Sequence, residues 1–137
     1  MDTIKLTPLR KISNPKGDIF HAMKATETGF SGFGEAYFTH IIKGEIKGWK
    51  KHTLMTMNII VPLGVVRFYI HDEVRNNTTA YDIGTSNYQR LTIPNGYWVA
   101  FEGLTLQHNL ILNIANIEHA ASESVNVPLS TYSLDCL

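Results

Sequence analysis

Four residues able to hold or move a proton crowd into one short segment: Lys47, Lys50, Lys51 and His52. Side chains alternate along an extended chain, so Lys50 and His52, two positions apart, share a face. Histidine titrates near working pH and can act as a base. A lysine beside it is a second base if burial keeps it neutral, or a fixed positive charge if it stays solvated. That combination suits abstraction of a carbon-bound proton next to a carbonyl, a step that needs a base and a group to steady the enolate. Tyr37 and Asn113 add hydrogen-bonding heads for a ligand oxygen. Each residue also has a plainer reading. The lysines can mark a solvated strand end, His52 a satisfied interior histidine, and Tyr37 a core tyrosine with its hydroxyl at the rim. Trp49 and Trp98 can stack on a ligand ring or simply be buried.

The elements that would position these groups are short and extended. Runs rich in β-branched and aromatic residues recur at Ala36 to Ile42, Thr53 to Pro62, Val65 to His71, Thr79 to Ile83, Tyr88 to Ile93, Tyr97 to Glu102 and Asn109 to Ile114. Turn signals separate them, among them Lys43-Gly44, Pro62-Leu63-Gly64, Gly84 to Asn87 and Pro94-Asn95-Gly96, where Gly and Asn tolerate positive φ and Pro presets it. Many short strands with regular punctuation predict an all-β sandwich or barrel. Helix is expected only in short pieces, best placed at Ser122 to Val125. Alternation puts Met55, Met57, Ile59 and Val61 on one face and Thr56, Asn58 and Ile60 on the other. It likewise pairs Tyr37 with Thr39 against Phe38 with His40.

A chain of 137 residues fits a single domain, residues 1–137, with room for a core that needs no staples. The 12 basic and 12 acidic residues cancel, which removes any global field toward nucleic acid or an anionic membrane. No stretch approaches the roughly 20 apolar residues of a membrane span, and the alternating N-terminus does not read as a signal peptide. Cys136 is the only cysteine, so no internal disulfide forms, and a reducing, cytoplasmic setting is expected.

The order of motifs resembles the dTDP-4-dehydrorhamnose 3,5-epimerase group of cupins over roughly residues 15–118. That family's opening arginine-glycine-x-phenylalanine signature is echoed by Lys16, Gly17 and Phe20, and its lysine-glycine-x-x-arginine-glycine-leucine-histidine by Lys43-Gly44-Glu45-Ile46-Lys47-Gly48-Trp49-Lys50. Leu91 to Leu104 is similar to its isoleucine-proline-x-glycine stretch. The resemblance implies a cupin-type jelly-roll barrel with little helix, a dTDP-linked deoxysugar as partner, and a homodimer, for which the alternating segment Thr3 to Ile12 could extend a neighbour's sheet. The family's arginine at the position of Lys47 serves the nucleotide, which makes Lys47 and Arg90 candidates for the diphosphate; Asn58, Trp98 and Asn113 are further candidates for the substrate site.

The departures narrow the chemistry. The family's general-base histidine is replaced by Lys50 and its proton-returning tyrosine, by the nearest alignment, by Asn113. Keto-isomerases of the same group use histidines near this strand, and His52 matches that pattern. Of the wider cupin metal motif only His52 survives, with Thr56 or Met57 at the glutamate place and Val99 at the second histidine, whereas a metal needs three or four converging donors. Neither metal nor redox cofactor is expected. Two classes of function fit: a nucleotide-sugar epimerase or 3,4-ketoisomerase with His52, Lys50 and Tyr37 as catalytic groups, or a cupin that binds a sugar or nucleotide sugar without turnover.

Overall fold

A computed structural model describes residues 2–136, and almost all regular structure in it is strand. In chain order the strands are β1 (Lys5–Pro8), β2 (Lys11–Ile12), β3 (Ile19–Phe20), β4 (Glu35–Ile41), β5 (Ile46–His52), β6 (Met57–Leu63), β7 (Val65–Asp72), β8 (Asn77–Gly84), β9 (Gln89–Ile93), β10 (Trp98–Gly103), β11 (Asn109–Ala115) and β12 (Ser124–Asn126). Two five-stranded antiparallel sheets face each other, one ordered β1-β9-β6-β11-β4 and the other β12-β5-β10-β7-β8, while β2 and β3 form a separate hairpin. This is the jelly-roll arrangement that the strand pattern and the cupin resemblance imply.

The core lies between the two sheets. Met57, Ile59 and Val61 of β6 meet Phe68 and Ile70 of β7, Ile83 of β8, Ile93 of β9 and Ile111 of β11, all buried. Along β11 the buried positions alternate without a break, Asn109, Ile111, Asn113 and Ala115 pointing inward. The face assignments for Met55 to Val61 and for Tyr37 with Thr39 hold: Phe38 turns outward and is 65% exposed.

Three local expectations change. The run from Thr53 enters the sheet only at Met57, because residues 53–56 leave the strand and direct the Leu54 and Met55 amides at a buried carboxylate described below. The short helix near Ser122 is a three-residue 3-10 turn, Ala121–Glu123, and the chain then extends into β12. The segment Thr3 to Ile12 finds its partners within the chain: Leu6 pairs with Leu91 of β9, and Ile12 with Ile19 of β3. Pro8 ends β1 at an outer edge, where a missing amide costs no ladder bond.

Candidate active site

Strand β5 decides which side chains enter the barrel. Val99 of β10 pairs with Lys50 and Phe101 with Lys47, so β5 carries one more residue than its partner between those two pairs. Such a bulge lets two residues three apart share a face. Gly48 sits in it with φ +152, and a Cβ there would collide with Ala100. Lys47, Lys50 and His52 consequently line one cavity, while Trp49 points to the opposite side of the sheet.

That cavity holds about 360 Å³, at the lower end of the range of ~300–1,000 Å³ usual for small-molecule sites. Tyr37 and Thr39 of β4 and Asn113 of β11 contribute from one sheet, and Lys47, Lys50 and His52 from the other, with Asn126 of β12 beside them. The floor is apolar, made by Met57, Ile59, Phe68, Val99 and Ile111. Five residues singled out in the sequence, Tyr37, Lys47, Lys50, His52 and Asn113, thus converge although three strands supply them.

His52 is buried, and its Nδ1 is hydrogen-bonded to Oε1 of Glu123, which is 3% exposed. The other carboxylate oxygen, Oε2, accepts from the amides of Leu54 and Met55, each at 3.2 Å. Burial pushes the Glu123 carboxyl up, but the hydrogen bonds from His52, Leu54 and Met55 outweigh it, and the group sits below its ordinary value. A carboxylate on Nδ1 fixes the tautomer in which Nδ1 carries the proton and Nε2 presents a lone pair to the cavity. It also steadies the imidazolium that forms when Nε2 takes a proton. Glu123 was missed in the sequence because it lies 71 positions from His52 and no motif marks it. The only available signal was an acidic residue in an otherwise polar, small-residue segment.

On the facing wall Tyr37 accepts a hydrogen bond from Asn113 Nδ2 at 3.0 Å. Its own hydroxyl proton is then free to point elsewhere. Tyr37 is 39% exposed, at the rim rather than in the core. Asn113, 3% exposed, is a support for Tyr37 as well as part of the wall. Lys50 is exposed at the mouth, so the burial that a neutral lysine base requires is not there; a charged clamp is the role its position allows. Lys47 donates to the His40 carbonyl at 3.0 Å.

Three sequence-predicted site residues lie elsewhere. Asn58 is on the outer face of β6, where its Oδ1 accepts from Thr92 Oγ1 at 2.6 Å and its Nδ2 donates to Gly29 O at 3.0 Å. Arg90 is fully buried outside the barrel and pins the segment before β4, donating to Ala22 O at 2.8 Å and Thr28 O at 3.2 Å with Glu27 nearby. Strand alternation explains both: Met57 and Ile59 of β6 and Leu91 and Ile93 of β9 face the core, so Asn58 and Arg90 cannot. Trp98 is buried on the outer face of β10 with Trp49 and Tyr69. Among the described residues no three His, Cys, Asp or Glu side chains come together as a metal-binding group, and no helix is long and apolar enough to cross a membrane.

No protein-family model matches the chain, and no curated protein matches it in sequence. Solved structures do. A dTDP sugar isomerase from Desulfovibrio desulfuricans G20 is 29% identical, with a TM-score of 0.89 over 93% of this chain and 85% of that one. A dTDP-6-deoxy-D-glucose-3,5-epimerase from Legionella pneumophila shares 14% identity with a TM-score of 0.80, over 92% of this chain and 73% of that one. A sugar 3,4-ketoisomerase from Thermoanaerobacterium thermosaccharolyticum, solved with TDP, shares 13% with a TM-score of 0.77, over 89% and 86%. The last two show the fold alone, and the first joins fold to sequence. In its jelly-roll barrel and its motif order from Lys43 to Leu104, the chain is similar to the dTDP-4-dehydrorhamnose 3,5-epimerase-like group of cupins.

Proposed function

We propose that the protein is an isomerase of a dTDP-linked 4-keto-6-deoxyhexose that works by enolate chemistry on its own side chains, with His52 as the base. The observation that carries this reading is the buried Glu123–His52 pair, aimed into a cavity whose opposite wall holds a tyrosine hydroxyl. The family's base and acid positions hold Lys50 and Asn113, but a base, His52, stands two residues further along β5 and a proton donor, Tyr37, on the neighbouring strand β4.

His52 Nε2 takes the proton from the carbon beside the ketone. The C–H electron pair forms the new carbon–carbon double bond, and the carbonyl π pair moves to oxygen. The Lys50 side chain at the mouth is a cationic group available to offset that negative charge. A shift of the ketone from C4 to C3 needs one base to carry the carbon-bound proton from C3 to C4, with a hydroxyl proton passing from O3 to O4; His52 alone can serve. Inversion needs a proton from the other face, and Tyr37 is on the facing wall to give it. The 3,4 shift is favoured, since it asks less of the residues present. One 3,4-ketoisomerase of this fold has been crystallised with TDP-4-keto-6-deoxyglucose, which supports the substrate class. Lys47 is assigned to the diphosphate by its place at the cavity's cationic edge.

A homodimer in a reducing compartment accompanies this reading. The outer side of β4 and β11, with Phe38 65% exposed and Leu110 and Leu112 half-buried beside it, is apolar enough for a second copy to cover. A light-scattering mass of one chain at all concentrations argues against it.

The function itself is tested by proton NMR of dTDP-4-keto-6-deoxyglucose with the protein. New signals of a 3-keto sugar establish the ketone shift, and inverted C3 or C5 signals establish epimerisation. Saturable line broadening with no new species shows a barrel that binds without turnover.

A further inference from the structure

The chain beyond β12 runs as a strap, residues 127–136, over the outer face of the β5 sheet. The Trp49 amide donates to Val127 O at 3.3 Å, the Val127 amide to Trp49 O at 3.1 Å, and the Trp49 indole Nε1 to Leu129 O at 3.0 Å. Tyr132 then wedges into an aromatic nest. Its ring stacks on His71 with centroids 3.8 Å apart and planes 20° from parallel, meets Trp49 edge-on at 5.6 Å and lies 5.9 Å from Trp98. Leu134 and Cys136 pack against the same cluster.

The other end of this strap is in the active site. Glu123 holds His52, and Asn126 forms part of the cavity wall. The link between them is β12, which has three residues, sits at the open edge of its sheet and pairs only with β5, Ser124 opposite His52 and Asn126 opposite Lys50. So short an edge strand contributes little stability of its own and frays first. What keeps it in register lies on either side: Thr53, whose amide and hydroxyl both donate to the Glu123 carbonyl at 2.7 Å, and the strap.

We infer that Tyr132 is a positioning residue for the active site: its ring locks the strap against His71, Trp49 and Trp98, the strap holds β12 in register, and β12 holds Glu123 on Nδ1 of His52. This inference rests on the reading of His52 as the base only for its catalytic consequence. The contacts are made by the ring, so Tyr132→Phe should preserve them and Tyr132→Ala should release them.

The test reads His52 directly and needs no substrate. In water the Nδ1 proton shared with Glu123 should give a low-field NMR resonance that is absent in His52→Ala. The expected result is a wild-type resonance in Tyr132→Phe and its loss by solvent exchange in Tyr132→Ala, with dispersed methyl signals showing that the barrel remains folded. An unchanged resonance in folded Tyr132→Ala overturns the proposal and leaves Thr53 as the sufficient anchor. If Tyr132→Ala does not fold, hydrogen exchange on the wild type decides: the Trp49 indole proton, which reports the strap, and the Leu54 and Met55 amides, which report Glu123, should share one opening rate. An indole that exchanges tenfold or more faster than those amides overturns it. Where turnover is present, kcat in Tyr132→Ala should fall on the order of 10²-fold with KM little changed, so an inactive wild type would defeat the functional reading without touching this one.

Discussion

The two faces of β5 differ sharply. The inward face carries Lys47, Lys50 and His52 around a space left open, whereas the outward face carries Trp49, fully buried under the strap. One strand separates them, and simple alternation, corrected by the bulge at Gly48, sorts them. The contrast places polar groups on one side of a strand and dense apolar packing directly behind them, on the same backbone.

If that division is right, changes on the inner face should alter chemistry and changes on the outer face should alter stability. The largest effect belongs to His52→Ala, which should lower the isomerisation rate by ~10²- to 10⁴-fold, measured by NMR of the sugar, with a thermal midpoint close to that of the wild type once the loss of the Glu123 pair is allowed for. Trp49→Ala comes next and acts in the opposite way. Removal of a fully buried indole should cost ~3–5 kcal/mol in unfolding free energy, read from urea titration.

Glu123 spans the two faces and predicts a pH dependence. Its folded-state carboxyl lies below its ordinary value, so the stability it contributes is complete above the usual carboxylate range and is lost as pH falls through the lowered value. Unfolding free energy measured between neutral and strongly acidic pH should therefore drop in that acidic window, and Glu123→Gln should flatten the drop while lowering turnover. A drop of equal size in Glu123→Gln would assign the acid sensitivity to other carboxylates. The smallest effects are expected where sequence reasoning placed ligand contacts and the fold does not: Trp98→Phe and Asn58→Asp should leave dTDP affinity unchanged by calorimetry, whereas Lys47→Met should weaken it.

The legible part of the site followed from strand geometry. Lys50 and His52 share a face because they are two apart, Tyr37 and Thr39 for the same reason, and each pair reached the cavity. Asn58, Arg90 and Trp98 were misplaced for a related reason: residue type suggested a ligand contact, while the neighbours Met57, Leu91 and Val99 already occupied the inward positions. Arg90 shows the physics most clearly, since a buried guanidinium finds its partners in the carbonyls of Ala22 and Thr28, a loop contact that no local pattern encodes. Glu123 was invisible because a short 3-10 turn and a three-residue strand bring it to His52 from the far end of the chain. The barrel itself was readable because turn residues and β-branched runs repeat along most of the sequence.

The account stands on His52 Nε2 as the group that removes a carbon-bound proton. The most direct measurement is deuterium incorporation at the carbon beside the ketone of dTDP-4-keto-6-deoxyglucose in deuterium oxide, compared between wild type and His52→Gln by mass spectrometry and NMR. Incorporation by the wild type that is abolished in a folded, dTDP-binding His52→Gln is the predicted result. Incorporation that persists at the wild-type rate in His52→Gln would contradict the account and move the base to another residue of the cavity.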